Sequence, residues 1–198
     1  MRNLLSTKDQ RQLRLMETLI QNRNWMKLHE LAEKLGCTER ILKSDLNELR
    51  VAFPSIDIQS SVNGIMIDLE VNTSVEDIYQ YFLANSQSFQ LLEYLFFNEG
   101  LPIYRTIENL HSSNANLYRL GRNITKTLST QFQIELSFTP SEIRGNEIDI
   151  RYFFAQYFSE RYYFLDWPFP DLPEEDLTEF ADFFYKITNY PMRFSIYR

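Results

Sequence analysis

Cysteine is almost missing: Cys37 is the only one in 198 residues, which excludes an internal disulfide and fits a reducing compartment. Histidine is as scarce. His29 and His111, with that one thiol, leave too few ligands for a structural zinc site or a His-based catalytic centre. Only five glycines occur, and there is no phosphate loop, no Gly-rich dinucleotide turn and no spaced Ser/His/Asp or Cys/His set. No enzyme activity, cofactor or small-molecule substrate is therefore expected. No run approaches the roughly 20 apolar residues of a membrane span, and residues 1–9 meet charge before an apolar signal core can form. The chain reads as soluble and cytoplasmic, with no membrane partner. An excess of positive charge is lacking too. Lys and Arg number 20 against 27 Asp and Glu, a net charge of -7, so any nucleic-acid binding has to come from a local patch. What is present, 44% apolar and 24% charged residues, suits a globular chain with a core or two.

Thr7-Lys8-Asp9-Gln10 has the form of a capping box, and Leu13, Met16, Leu19 and Ile20 follow at helical spacing, predicting a helix over residues 8–22. Leu28, Leu31, Ala32 and Leu35 predict a second, ended by Gly36, which accepts the positive φ of a tight turn. Thr38 can cap a third, whose stripe of Leu42, Leu46, Leu49 and Phe53 stops before Pro54. Ile56 and Ile58 then alternate with polar residues, Asn63-Gly64 offers a hairpin turn, and Ile65, Ile67 and Leu69 alternate again. Helix, turn, helix and hairpin in that order describe a winged helix-turn-helix.

With the leucines of the third helix turned inward, Arg40, Lys43, Ser44 and Asn47 share its outer face. These types suit a DNA groove: Arg and Lys donate to guanine, Asn pairs with adenine, and Ser reaches base or phosphate. Arg50, and Ser60 and Asn63 of the wing, extend the candidate DNA-binding set. Residues 1–55 hold ten Lys/Arg against seven Asp/Glu, a local basic patch in an acidic chain. The plainer reading is that these charges solvate an exposed helix face.

The pattern recurs 75 residues later. Leu28 aligns with Ile103, Leu35 with Leu110, Thr38 with Ser113, Leu42 with Leu117, Leu49 with Ile124 and Phe53 with Leu128. The wing is expected at a larger offset, Gly64 matching Gly145, Ile67 matching Ile148 and Leu69 matching Ile150. Opening helices are predicted over 75–84, capped by Ser74-Val75-Glu76-Asp77, and over 88–98, closed by Gly100. A duplicated domain is the economical explanation. Its outer recognition face carries Tyr118, Arg119, Arg122 and Lys126. Residues 71–150 hold five Lys/Arg and nine Asp/Glu, so this copy is either a second DNA face or a partner-binding or spacing module. His111, in the turn between its helices, reads as a surface or capping residue.

From Arg151 the composition shifts to Tyr152, Phe153, Phe154, Tyr157, Phe158, Tyr162, Tyr163 and Phe164, then Asp166-Trp167-Pro168-Phe169-Pro170. Aromatics this dense read as core, with an interdomain or dimer surface as the alternative. Glu174-Glu175-Asp176 caps a later helix whose Leu177, Phe180, Phe183 and Phe184 share a face. Residues 192–198 carry no terminating signal and read as a point inside a longer polypeptide. The expected fold is mainly α with small β-hairpin wings: two tandem winged helix-turn-helix domains, 1–70 and 71–150, then 151–198 as the start of a helical regulatory domain.

Two tandem winged helices, the segment Ile41-Leu42-Lys43-Ser44-Asp45-Leu46-Asn47-Glu48-Leu49, the later Asn116-Leu117-Tyr118-Arg119 with Ile124, and Gly145-Asn146-Glu147-Ile148-Asp149-Ile150-Arg151 before the aromatic helix and Trp167-Pro168-Phe169 resemble the Mga/AtxA family of Gram-positive global transcriptional regulators. The likeness spans nearly the whole chain, and the first helix-turn-helix is also similar to those of DeoR-type and BglG-type regulators. It implies a double-stranded DNA-binding regulator of virulence or metabolic genes. It also implies phosphotransferase-system regulatory domains and an EIIB-like domain further on, carrying regulatory histidines and the surface of a homodimer. The competing class is an assembly module that uses winged helices for protein contacts and shows no salt-dependent DNA affinity.

Overall fold

The structure, a computed structural model, describes residues 1–68, 74–163 and 167–188. Leu69, Phe164, Asp166 and residues 192–198, used in the readings above, lie outside the described residues. Residues 1–150 form one compact unit and residues 151–198 another.

The first unit opens with α1 (Thr7–Asn22), α2 (Leu28–Lys34) and α3 (Glu39–Ala52). The cap of α1 is one residue earlier than its sequence suggests: Ser6 Oγ accepts from the Asp9 amide at 3.1 Å and donates to the Asp9 carboxylate at 2.7 Å. Ser6 has the extended backbone that an N-cap needs. Leu13, Met16, Leu19, Leu31, Leu42, Leu46 and Leu49 are buried, forming the core that the apolar spacings predict. Gly36 ends α2 at φ +64°.

The wing pairs β1 (Asp57–Ser61) with β2 (Gly64–Asp68) antiparallel, Ser61 facing Gly64. The two-residue turn is thus Val62-Asn63, one position before the Asn63-Gly64 read from sequence. Gly64 serves a different need. A Cβ there would lie 2.0 Å from the Met26 carbonyl oxygen, because Met26 exchanges backbone hydrogen bonds of 2.9 and 2.8 Å with Ile65. The segment between α1 and α2 is thus bridged to the wing at one residue pair.

The second copy follows with α4 (Val75–Asn85), α5 (Gln87–Phe97), α6 (Ile103–Asn109) and α7 (Asn114–Leu128). Ser74 and Asp77 make the reciprocal bonds of a capping box on α4, and Ser113 caps α7 by accepting from Asn116. Leu117, Ile124 and Leu128 are buried. The rings of Phe53 and Tyr81 lie 4.6 Å apart, joining the end of α3 to α4. His111 takes the place of Gly36 in the turn, with φ +45° and an exposed side chain.

The second wing is not where the sequence reading puts it. Its strands are β3 (Glu135–Phe138) and β4 (Ser141–Arg144), and Leu101 bridges to Ser141 as Met26 does to Ile65, while Phe138 pairs with Ser141 beside the turn as Ser61 does with Gly64, so the repeat continues into the wing at an offset of 76 to 77. Ile148 and Ile150 instead belong to α8 (Glu147–Arg161). Asn146 overrides the strand-like alternation: its side chain accepts from the Ile148 amide at 2.8 Å and its carbonyl from the Ile150 amide at 3.0 Å, starting a helix with Glu147 and Asp149 in the first turn.

In the second unit Phe153, Phe154, Tyr157 and Phe158 are buried, whereas Tyr152 is exposed. Phe158 packs on Phe169 at 4.7 Å between centroids and Trp167 on Phe169 at 4.9 Å. In α9 (Glu174–Thr188), headed by Glu174, Glu175 and Asp176, no residue is buried. Leu177 and Phe184 are half-buried and Phe180 and Phe183 exposed, so the expected apolar face is formed but uncovered among the described residues.

Candidate nucleic-acid interface

Thr38 starts α3 by accepting from the Ile41 amide at 3.3 Å, and the burial of Leu42, Leu46 and Leu49 fixes its rotation. Arg40, Lys43, Ser44 and Asn47 consequently all face solvent. Asp45 lies on the buried side at 2% exposure, where a carboxylate needs partners. Arg11 of α1 supplies two hydrogen bonds, 2.6 and 3.0 Å, and Gln12 a third at 3.1 Å. Gln12 also donates to Glu48, which pairs with Lys8. The Asp45 hydrogen bond pushes the Arg11 pKa further up, and the bonds from Lys8 and then Gln12 pull Glu48 below its ordinary value. Burial raises the Cys37 thiol at the foot of the helix. This network braces the outward-facing helix from behind.

Beside α3 the wing closes a cleft of about 340 Å³ lined by Lys43, Asn47, Arg50, Ser60 and Ser61 over an apolar floor including Leu46 and Ile65. Lys27 Nζ donates to the Val62 carbonyl at 3.0 Å, holding the wing tip. Ser60 and Asn63 are exposed on the hairpin. Arg50 is half-buried and bridges helix and wing, donating to the Ile58 carbonyl, Asn47 Oδ1 and Ser60 Oγ at 3.1, 3.2 and 2.5 Å. Of the expected set, then, Lys43, Asn47, Arg50 and Ser60 meet in one cleft, while Arg40, Ser44 and Asn63 do not line it.

On α7, Tyr118, Arg119, Arg122 and Lys126 are all exposed. Tyr118, Arg122 and Lys126 line a cleft of about 360 Å³ between α7 and the second wing. Here the wing is fastened differently. Phe138 lies edge-on to Tyr118 at 5.3 Å and so close over Gly121 that a Cβ would fall 2.4 Å from its ring, and Thr125 Oγ1 accepts from the Leu136 amide at 2.9 Å. Arg119 donates to Asn116 Oδ1 at 2.7 Å. Leu120 stands where Asp45 stands in the first copy, so the second helix lacks the buried ion pair.

Sequence reasoning missed Arg11, Gln12, Lys27, Thr125 and Phe138. Only Asp45 left a signal, an acid amid the apolar stripe of Leu42, Leu46 and Leu49. Among the described residues no group of three or more His, Cys, Asp or Glu is placed to hold a metal ion, and no helix is long and apolar enough to cross a membrane.

Comparison with known proteins agrees with this arrangement. Residues 6–65 match the M protein trans-acting positive regulator (MGA) HTH domain, residues 71–158 the Mga helix-turn-helix domain and residues 173–198 the MGA PRD domain. A protein of Streptococcus pneumoniae serotype 4 described as a trans-acting regulator is 46% identical over 198 residues, covering 100% of this chain and 40% of its own length. The capsule synthesis positive regulator AcpA of Bacillus anthracis is 26% identical over 179 residues, covering 87% of this chain and 36% of its own. The chain spans about two fifths of the length of these curated relatives. With all three domain matches in one order and an alignment to a regulator over all 198 residues, the chain belongs to the Mga family of transcriptional regulators.

Proposed function

We propose that this chain is the DNA-reading part of a cytoplasmic regulator of virulence or metabolic genes, acting on double-stranded promoter DNA. Helix α3 enters the major groove with Arg40, Lys43, Ser44 and Asn47, and the wing brings Ser60 and Asn63 to the phosphate backbone. Arg119, Arg122 and Lys126 of the second copy hold phosphate or a neighbouring groove. The observation that carries this reading is the solvent-facing Arg40, Lys43, Ser44 and Asn47 on a helix braced from behind by Arg11 and Asp45. The likeness to AcpA, a positive regulator, favours activation over repression. Residues 1–70, 71–150 and 151–198 serve as first reading head, second reading head and start of a regulatory domain whose continuation supports a homodimer.

Fluorescence-anisotropy titration on promoter-length duplexes over a salt series tests this. Binding is expected to weaken with salt and in Arg40→Ala/Lys43→Ala, with a further loss in Arg119→Ala/Arg122→Ala if both copies bind. A base contact is worth about 1–3 kcal/mol, and a phosphate contact about one unit of salt slope. Unchanged affinity in Arg40→Ala/Lys43→Ala overturns the assignment of α3. The acidic balance of residues 71–150 favours a second reading for that copy alone, an assembly surface, which predicts no loss from Arg119→Ala/Arg122→Ala.

A further inference from the structure

The spacing along α3 groups Arg50 with the DNA contacts, but its guanidinium is already engaged: Nη1 donates to Asn47 Oδ1, Nη2 to Ser60 Oγ and Nε to the Ile58 carbonyl. A guanidinium has donors only. The Asn47 atom that faces it is therefore the amide oxygen, and among the described residues the Nδ2 amine at the other end has no hydrogen-bond partner. An unconstrained asparagine pairs with adenine through both ends, Oδ1 accepting from N6 and Nδ2 donating to N7. With one of the two lone pairs of Oδ1 taken by Arg50, the end of the amide left wholly unengaged for the groove is the donor. Base edges that suit a lone donor are acceptors, and guanine offers two adjacent ones, N7 and O6.

We infer that Arg50 is a positioning residue that holds the amide oxygen of Asn47, presents its amine to the major groove and so biases one position of the DNA site toward guanine. The inference rests on the proposed entry of α3 into that groove. The second copy shows that the same helix position does this fastening: 75 residues on, Thr125 binds the first strand of its wing through Leu136. Asn47 has Arg122 as its counterpart there, so the coupling of a fastener to an amide belongs to the first copy.

The test is selection of duplexes from a random pool by the parent chain and by Asn47→Ala, Asn47→Asp, Arg50→Lys and Asn47→Ala/Arg50→Lys, with thermal melting to check folding. Arg50→Lys keeps the charge but not the three-way fork. The parent is expected to select guanine at the one position where Asn47→Ala loses preference. Arg50→Lys should lower that preference about tenfold there alone, without changing the salt slope, and the double variant should be no worse at that position than Asn47→Ala. Asn47→Asp keeps an acceptor for Arg50 and turns an acceptor to the groove, so it should switch the position to cytosine, a readout that stands even if Arg50→Lys folds poorly. Adenine in the parent site, full retention of preference by Arg50→Lys, additive losses in the double variant or an unchanged preference in Asn47→Asp each overturn the inference. Failure of the parent to enrich any sequence overturns the DNA reading itself and this inference with it.

Discussion

Arg11 grips Asp45 through two parallel hydrogen bonds, Nε to Oδ2 at 2.6 Å and Nη2 to Oδ1 at 3.0 Å, so that α1 is tied to the hidden side of α3. Asp45 is 2% exposed and Arg11 20% by side chain. Breaking such a pair strands a charge, whereas replacing both partners with apolar groups is often neutral.

Asp45→Ala is accordingly expected to destabilise the chain by about 3 kcal/mol, since removing one partner of a buried pair costs about 3–5 and Arg11 retains some access to water. The repeat supplies a control. Residues 75 further on from Arg11 and Asp45 are Ser86 and Leu120, so Arg11→Ser/Asp45→Leu removes both charges at once with the residue types found at those positions of the second copy. Urea denaturation should show the double variant recovering at least half of the loss. A double variant as unstable as Asp45→Ala would show that the pair does more than satisfy itself.

The inter-helix turns predict an asymmetric response. Gly36 has φ +64° with open space about its missing Cβ, and His111 has φ +45° at the matching position. Gly36→Ala carries the left-handed penalty of about 1–2 kcal/mol, partly offset by a stiffer unfolded chain, so a net loss of about 1 kcal/mol is expected. His111→Gly relieves that penalty and loosens the unfolded chain, leaving a change below about 0.5 kcal/mol. Thermal melting of the two variants side by side checks the difference.

Glu48 sets an acid limit. The Lys8 hydrogen bond, with help from Gln12, lowers its folded-state pKa. A lowered value means that the stabilisation is present above the ordinary glutamate pKa of about 4.3 and disappears as pH falls below it. Its side chain is 46% exposed, so solvent screening limits the contribution to a few tenths of a kcal/mol. The gap in urea midpoint between parent and Glu48→Gln should shrink from pH 7 to pH 3.5. A gap that stays constant would place the effect in packing.

The helices of both copies were legible because apolar side chains recur at i, i+3, i+4 and i+7, and caps such as Thr38, Ser74 and Ser113 act within one turn. Their outward faces followed from the same geometry. The second wing was not legible. Glu147-Ile148-Asp149-Ile150 alternates like a strand, and only the bonds of Asn146 make it a helix start, while Glu135–Phe138 is recognisable as a strand chiefly by its fit over Gly121. The Arg11 and Arg50 bridges escaped for another reason: each joins residues brought together by tertiary structure, and an arginine on an outer face looks the same in sequence whether it waits for a phosphate or already holds a neighbour.

The packing of Phe138 against Tyr118 and over Gly121 bears on how the two heads accommodate a duplex. A wing wedged by an aromatic ring has little freedom left to lose on binding, so under the proposal that the second copy reads DNA it meets the duplex as a rigid template and favours sites whose groove width already suits it. The first wing is held by polar contacts instead, Arg50 to Ile58 and Ser60, Lys27 to Val62 and the backbone pair of Met26 and Ile65, so on the same reading its angle adjusts at the cost of a few hydrogen bonds. On that proposal, duplication separates two tasks, gauging the shape of the duplex and adapting to its sequence.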